Sequence, residues 1–178
     1  MELPLSPQID KSRMEFGYYA TSCSCVDCSF YCKHMPGYLI PDDLRRLSGE
    51  ESVKDICEWA DGRLLASPGA IVATKGGIMR VPTLVPRKLK QGCIWLADEK
   101  GGCMVHAKAP FGCRFFNTHE PDDRADYLSK RGLAAIMQDW CSNGIYSIVW
   151  NFLNDKGQIA QPPEELRKEA REAYEKER

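Results

Sequence analysis

The sequence predicts a small, helix-rich α+β domain with irregular cysteine-rich loops and helices at its C-terminal end. Three observations carry that reading. Apolar residues recur at helical spacing through 123–153. Two β-branched runs flank Gly76-Gly77. Seven of the nine cysteines fall into two groups, Cys23, Cys25, Cys28 and Cys32, then Cys93, Cys103 and Cys113.

A chain of 178 residues is most simply one domain with a helical extension. We divide it into a cysteine-bearing domain over 1–160 and a charged helix over 161–178. The domain is long enough to bury a core without depending on metal or disulfides alone. A net charge of -1 supplies no field to recruit nucleic acid or an anionic membrane. No apolar run approaches a membrane span, and the first residues lack the basic start and apolar core of a secretion signal. The expected location is therefore cytoplasmic. In a reducing compartment, clustered cysteines point to metal or redox chemistry rather than disulfides.

Taken in order, residues 1–20 read as irregular, because Pro4 and Pro7 discourage helix; Phe16, Tyr18 and Tyr19 are placed beside the cysteines that follow. In 21–37 the spacing is Cys23-x-Cys25-x2-Cys28-x3-Cys32, with Pro36-Gly37 as a closing turn. A Cys-x2-Cys turn sets two sulfurs about one metal with little chain strain. Four cysteines in ten residues are poorly explained by packing. His34 is more simply structural than a ligand.

Residues 40–66 read as helical, opened by Ile40-Pro41-Asp42-Asp43 with a capping carboxylate. Cys57, on an apolar stripe with Val53, Ile56 and Ala60, reads as a small buried hydrophobe. Residues 71–74 and 78–85 read as a hairpin about Gly76-Gly77, with Pro82 and Pro86 keeping the second strand at an edge.

Across 93–120, Gly92, Gly101, Gly102 and Gly112 are expected to bring the backbone close to a metal or to accept positive φ. Trp95, Phe111, Phe115 and Phe116 either exclude water from the site or form ordinary core. Arg114 either balances thiolate charge as an outer partner or pairs with Glu120, Asp122 or Asp123. Over 123–153, Leu133, Ile136, Met137 and Trp140 form one apolar stripe, and Ile145, Ile148, Val149, Phe152 and Leu153 another. Ser142-Asn143-Gly144 breaks the helix between them. Cys141, beside the break, reads as buried and structural. Pro162-Pro163 opens a last helix with a thin stripe of Leu166, Ala170 and Tyr174.

The later cysteines stand as Cys93-Ile94-Trp95-Leu96, Cys103-Met104-Val105-His106 and Ala109-Pro110-Phe111-Gly112-Cys113-Arg114-Phe115. With Cys25, Cys28 and Cys32 they form a pattern over about 23–119 that resembles the zinc- or iron-chelating domain family, the YkgJ-type cysteine-cluster proteins. The helix opening Ile40-Pro41-Asp42-Asp43-Leu44 is similar too. Tyr31 stands where that family carries another cysteine, His106 where it carries tyrosine, and Ala109 where it carries arginine. The resemblance implies metal or iron-sulfur binding through Cys25, Cys28, Cys32, Cys93, Cys103 and Cys113, with Cys23 and His106 as further candidates. It implies no particular reaction.

Zinc or one four-iron (4Fe-4S) cluster needs only four thiolates, so the set has a surplus. Thiolate ligands suit both metals, and loops rich in glycine and aromatic residues favour the cluster. Three functions follow from the residues. The first is a metal-binding protein in electron transfer or metal and cluster handling, with a redox or other protein partner. The second is a metal-dependent enzyme, with His106, His119, Asp122 or Asp123 as the acid-base groups nearest the cysteines. The third is a structural zinc domain that presents its last helix to a partner. The two cysteine groups are expected to converge in space.

Overall fold

The described chain opens with helix α1 (Val26–His34), and an extended run to Ile40 leads into α2 (Pro41–Ser48) and α3 (Val53–Ala60). This computed structural model describes residues 26–97, 102–115 and 122–177. Strands β1 (Leu64–Thr74) and β2 (Gly77–Pro86) follow, then two-residue strands β3 (Lys88–Leu89) and β4 (Gly92–Cys93). A 3-10 turn (His106–Lys108) precedes the one-turn helix α4 (Phe111–Phe115). Helices α5 (Asp122–Ser142), α6 (Ile145–Asp155) and α7 (Pro163–Glu177) complete the chain. The architecture is a helix-rich α+β domain with two small antiparallel sheets.

The hairpin β1–β2 runs in register from Leu64 opposite Pro86 to Thr74 opposite Gly77, with a bulge between Ser67 and Ala70. It is longer than the two runs in the sequence suggest. The helical reading of 40–66 is corrected at both ends of α3. Gly49, at positive φ, stops α2; Ser52 Oγ accepts the Asp55 N–H to start α3; and Leu64 already belongs to β1. Cys28 and Cys32 lie in helix α1, while Cys25, which opens the expected Cys-x2-Cys turn, lies outside the described residues. The break at Ser142-Asn143-Gly144 is as expected, with Asn143 at positive φ. Asp139 then caps α6 by accepting from the Ser147 N–H at 2.9 Å.

The core lies between the inner end of the hairpin and helices α2, α3, α5 and α6. Leu39, Leu44, Ile56, Leu64, Leu84, Ile136 and Leu153 are fully buried there. Tyr146 on α6 crosses this core. Its hydroxyl donates to the Leu39 carbonyl (2.8 Å) and accepts from the Leu84 N–H (2.6 Å). Leu39 N–H in turn donates to the Leu84 carbonyl at 2.8 Å. The run before α2 is thus stitched to β2 and to α6 at one point. Cys57 is buried on α3, as its stripe predicts, but Cys141 is exposed at the end of α5. The expectation of a buried Cys141 fails because the apolar stripe of α5 turns away from solvent elsewhere, through Leu128, Ala135 and Ile136. Ile148, placed on the α6 stripe, is likewise exposed.

Helix α7 is not a detached tail. Arg80 pairs with Glu164 at 2.5 Å, Lys88 with Glu169 at 3.8 Å, and the Tyr174 ring meets Phe30 of α1 edge-on at 5.5 Å. Among the described helices, none is long and apolar enough to cross a membrane.

Candidate metal centre

Four thiols come from four separate segments. Cys32 lies in α1, Cys93 ends β4, Cys103 pairs with Leu96 in an isolated antiparallel bridge, and Cys113 sits in the middle of α4. Each later cysteine is fixed by a local turn. Leu96 N–H donates to the Cys93 carbonyl (2.8 Å), His106 N–H to the Cys103 carbonyl (3.0 Å), and Cys113 N–H to the Pro110 carbonyl (3.1 Å). Met104 N–H reaches the Trp95 carbonyl at 2.9 Å, which ties the second turn to the first.

Glycines let these segments meet. A Cβ on Gly92 would fall 2.8 Å from the Lys33 Cα and 3.1 Å from the Cys32 carbonyl oxygen, and Gly92 has φ +126°. So β4 is pressed onto the last turn of α1, bringing Cys93 to Cys32. On the other side, Gly112 packs against Gly37 and Tyr38, and its N–H donates to the Tyr38 carbonyl at 2.8 Å. The Cys113 sulfur lies 3.8 Å from the Gly37 carbonyl oxygen. Of the four glycines expected to matter, Gly92 and Gly112 do. Gly101 lies outside the described residues. Gly102 has open space where a side chain would stand and is not at positive φ.

Electrostatics binds the four into one group. Burial pushes the Cys93 thiol up to about 12; the Trp95 and Leu96 N–H groups act against this, and charge on Cys103 or Cys32 adds to it. Burial also raises Cys113 well above the ordinary thiol range, and charge on Cys93, Cys32 and Cys103 raises it further. Burial alone raises the Cys57 thiol.

The donor set fits a thiophilic metal centre. Four thiols match the ligand count of a tetrahedral zinc or a four-iron cluster. The backbone N–H groups of Trp95 and Leu96 favour the Cys93 thiolate and oppose the effect of burial. Trp95 and Phe111 are buried beside the cysteines, and Trp95 stacks on Trp59 at 6.3 Å between ring centres. Among the described residues, no group of three or more His, Cys, Asp or Glu side chains is already arranged to hold an ion. Protonated thiols have no attraction that draws them together; a cation displaces the protons and supplies it.

The remaining candidates divide as follows. Cys23, Cys25 and His119 lie outside the described residues, as do Phe16, Tyr18, Tyr19 and Phe116. Cys28 is in α1, one turn before Cys32; its side chain, and those of Arg114 and Phe115, fall outside what is described. His106 begins the 3-10 turn, three residues past Cys103, and is half-buried. The His34 ring lies 4.4 Å from that of Phe30, a structural contact. Asp123 is exposed near the start of α5.

Sequence reasoning passed over Asp43. It was read only as part of a helix start, yet it is buried and joins α2 to the Cys113 segment. Its Oδ2 accepts the N–H of Ile40 (3.0 Å) and of Phe111 (2.8 Å), and Arg46 pairs with its other oxygen. Burial raises its carboxyl above the ordinary range, against the opposing effect of Arg46 and the two N–H donors. Nothing in Pro41-Asp42-Asp43 distinguishes one aspartate from the other without the fold.

No family model matches the chain, and no curated protein or solved structure matches it either.

Proposed function

We propose that the chain is a metal-binding cysteine-cluster protein, holding an iron-sulfur cluster or zinc between Cys32, Cys93, Cys103 and Cys113. The observation that carries this is the meeting of four cysteine-bearing segments: Gly92, beside Cys93, lies against Cys32 and Lys33, Cys103 bridges to Leu96 of the Cys93 turn, and Gly112, beside Cys113, lies against Gly37 and Tyr38 just after α1. Packing alone gives no reason to gather four thiols and press glycine backbones together around them. The resemblance to the zinc- or iron-chelating family points the same way. Cys28, on the same helix as Cys32, and Cys25 and Cys23 just before it are the remaining thiols of the set. They would serve a larger cluster or a second ion.

The role favoured is electron transfer or metal and cluster handling. A bound cluster would supply one-electron chemistry, while the chain would supply thiolates, N–H donors to sulfur and a partly dry surround. The test is purification without oxygen, followed by an absorption spectrum and metal and sulfide analysis of one sample. Iron and sulfide in matching amounts, with a broad visible band that bleaches on reduction, identify the cluster. Zinc without sulfide in a colourless protein identifies the zinc form. Protein with neither metal above trace level overturns the reading.

A further inference from the structure

Helix α4 carries Cys113 but cannot stand alone. It has five residues, well short of the length at which a helix is stable in water. Its first N–H groups need partners from elsewhere. Phe111 N–H is taken by Asp43 Oδ2 (2.8 Å) and Gly112 N–H by the Tyr38 carbonyl (2.8 Å). The same Asp43 oxygen holds the Ile40 N–H at the start of α2. Arg46, paired with Asp43, donates to the carbonyls of Lys108 (2.8 Å) and Ala109 (3.3 Å), which lead into α4. The backbone on both sides of Pro110 is therefore gripped by one ion pair from α2.

Asp43 is 1% exposed. A carboxylate in that position is costly unless its lone pairs are used, and of its bonds, to Ile40, Arg46 and Phe111, the last runs to the Cys113 segment. Helix capping does not require this. Asp43 already satisfies Ile40, and the added bond to Phe111, 68 residues away, serves only the placement of α4.

We propose that Asp43, with Arg46, is a positioning residue for Cys113: it holds the α4 turn so that this thiol faces the other three. The proposal rests on the metal reading only for its purpose; the positioning itself is testable in the metal-free chain.

The experiment measures the rate at which N-ethylmaleimide labels each cysteine of the full-length, metal-free protein, mapped by peptide mass spectrometry. The variants are Asp43→Ala, Asp43→Asn and Arg46→Gln, with Trp150→Phe as a control that removes a half-buried hydrogen bond between α6 and the Ser67 carbonyl of β1 and shares no partner with α4. Asp43→Ala should speed labelling of Cys113 by about tenfold or more, the scale of a lost charge-assisted hydrogen bond, while Cys57 keeps its rate. Asp43→Asn retains an acceptor for Phe111 and should restore most of the protection. Arg46→Gln should act in the same direction as Asp43→Ala, more weakly, and serves if Asp43→Ala does not fold. Cys113 labelled at the wild-type rate in both Asp43→Ala and Arg46→Gln overturns the proposal, as does an equal rise in Trp150→Phe. Zinc retention against a chromophoric chelator, measured on the same variants, separates the two claims. If wild-type protein takes up no metal but Cys113 still responds to Asp43, the positioning stands and the metal reading falls.

Discussion

Gly37 and Gly112 touch backbone to backbone: a Cβ on Gly37 would lie 2.2 Å from the Gly112 carbonyl carbon, and one on Gly112 2.4 Å from the Tyr38 nitrogen. The crossing joins the segment after α1 to the segment that carries Cys113. It leaves no room for a methyl group on either side. Gly112→Ala should destabilise the fold by about 1–3 kcal/mol, the usual cost of forcing an extra carbon into a closed space. It should also reduce metal retention. Gly102→Ala, placed in open space, should do neither. Thermal melts and metal content of the two variants check the contrast.

The cysteines should separate by position. Cys32→Ser, Cys93→Ser, Cys103→Ser and Cys113→Ser should each lower bound metal in purified protein. Cys57→Ser should leave metal content unchanged while costing roughly 1–3 kcal/mol, because it buries a hydroxyl in an apolar site. Cys141→Ser, at an exposed position, should stay within about 0.5 kcal/mol of wild type. Metal analysis beside denaturant melts reads both quantities for each variant.

Tyr146 tests the core where the run before α2 meets β2 and α6. Tyr146→Phe removes a hydroxyl with two buried partners, Leu39 and Leu84. The loss should be about 1–3 kcal/mol, since the buried Leu84 N–H and Leu39 carbonyl both lose the hydroxyl that lies between them. Urea unfolding should show a lower midpoint with an unchanged slope.

Acid should loosen the outer attachments first. Hydrogen bonding to Arg80 holds Glu164 below its ordinary value of 4.5, and bonding to Lys156 and Gln158 holds Asp61 below 3.8. Because the folded-state values are depressed, the stabilisation is present above the unfolded values and is lost as pH falls through the folded ones. Hydrogen exchange in α7 should therefore quicken as pH drops below about 4, once corrected for the intrinsic pH dependence of exchange. Glu164→Gln should remove most of that change. Both carboxylates are on the surface, so added salt should shrink the effect.

Much of the fold was legible because its signals are local. The stripes of α5 and α6, the Asn143-Gly144 break and the Gly76-Gly77 hairpin each depend on a few neighbouring residues. The start of β1 was missed because Leu64, Leu65 and Ala66 suit a helix as well as a strand; their pairing with Val85 and Pro86 decides it. For the proposed site, spacing points to the two groups of cysteines, and Cys32, Cys93, Cys103 and Cys113 are the members of those groups whose side chains the structure describes. What spacing could not supply is the link between segments. Gly37 looked like a turn residue and Asp43 like a helix start, because their partners, Gly112 and Phe111, are about seventy residues away along the chain. Cys141 was misjudged by the general tendency of cysteine to be buried, which says nothing about which side of α5 faces the core.

The most direct test of one centre built from four segments is differential alkylation, comparing metal-loaded protein with the same protein after chelation. The account predicts that Cys32, Cys93, Cys103 and Cys113 become protected together on loading, while Cys57 and Cys141 label at unchanged rates. Protection confined to the N-terminal cysteines, with Cys93, Cys103 and Cys113 labelled equally in both samples, would contradict it.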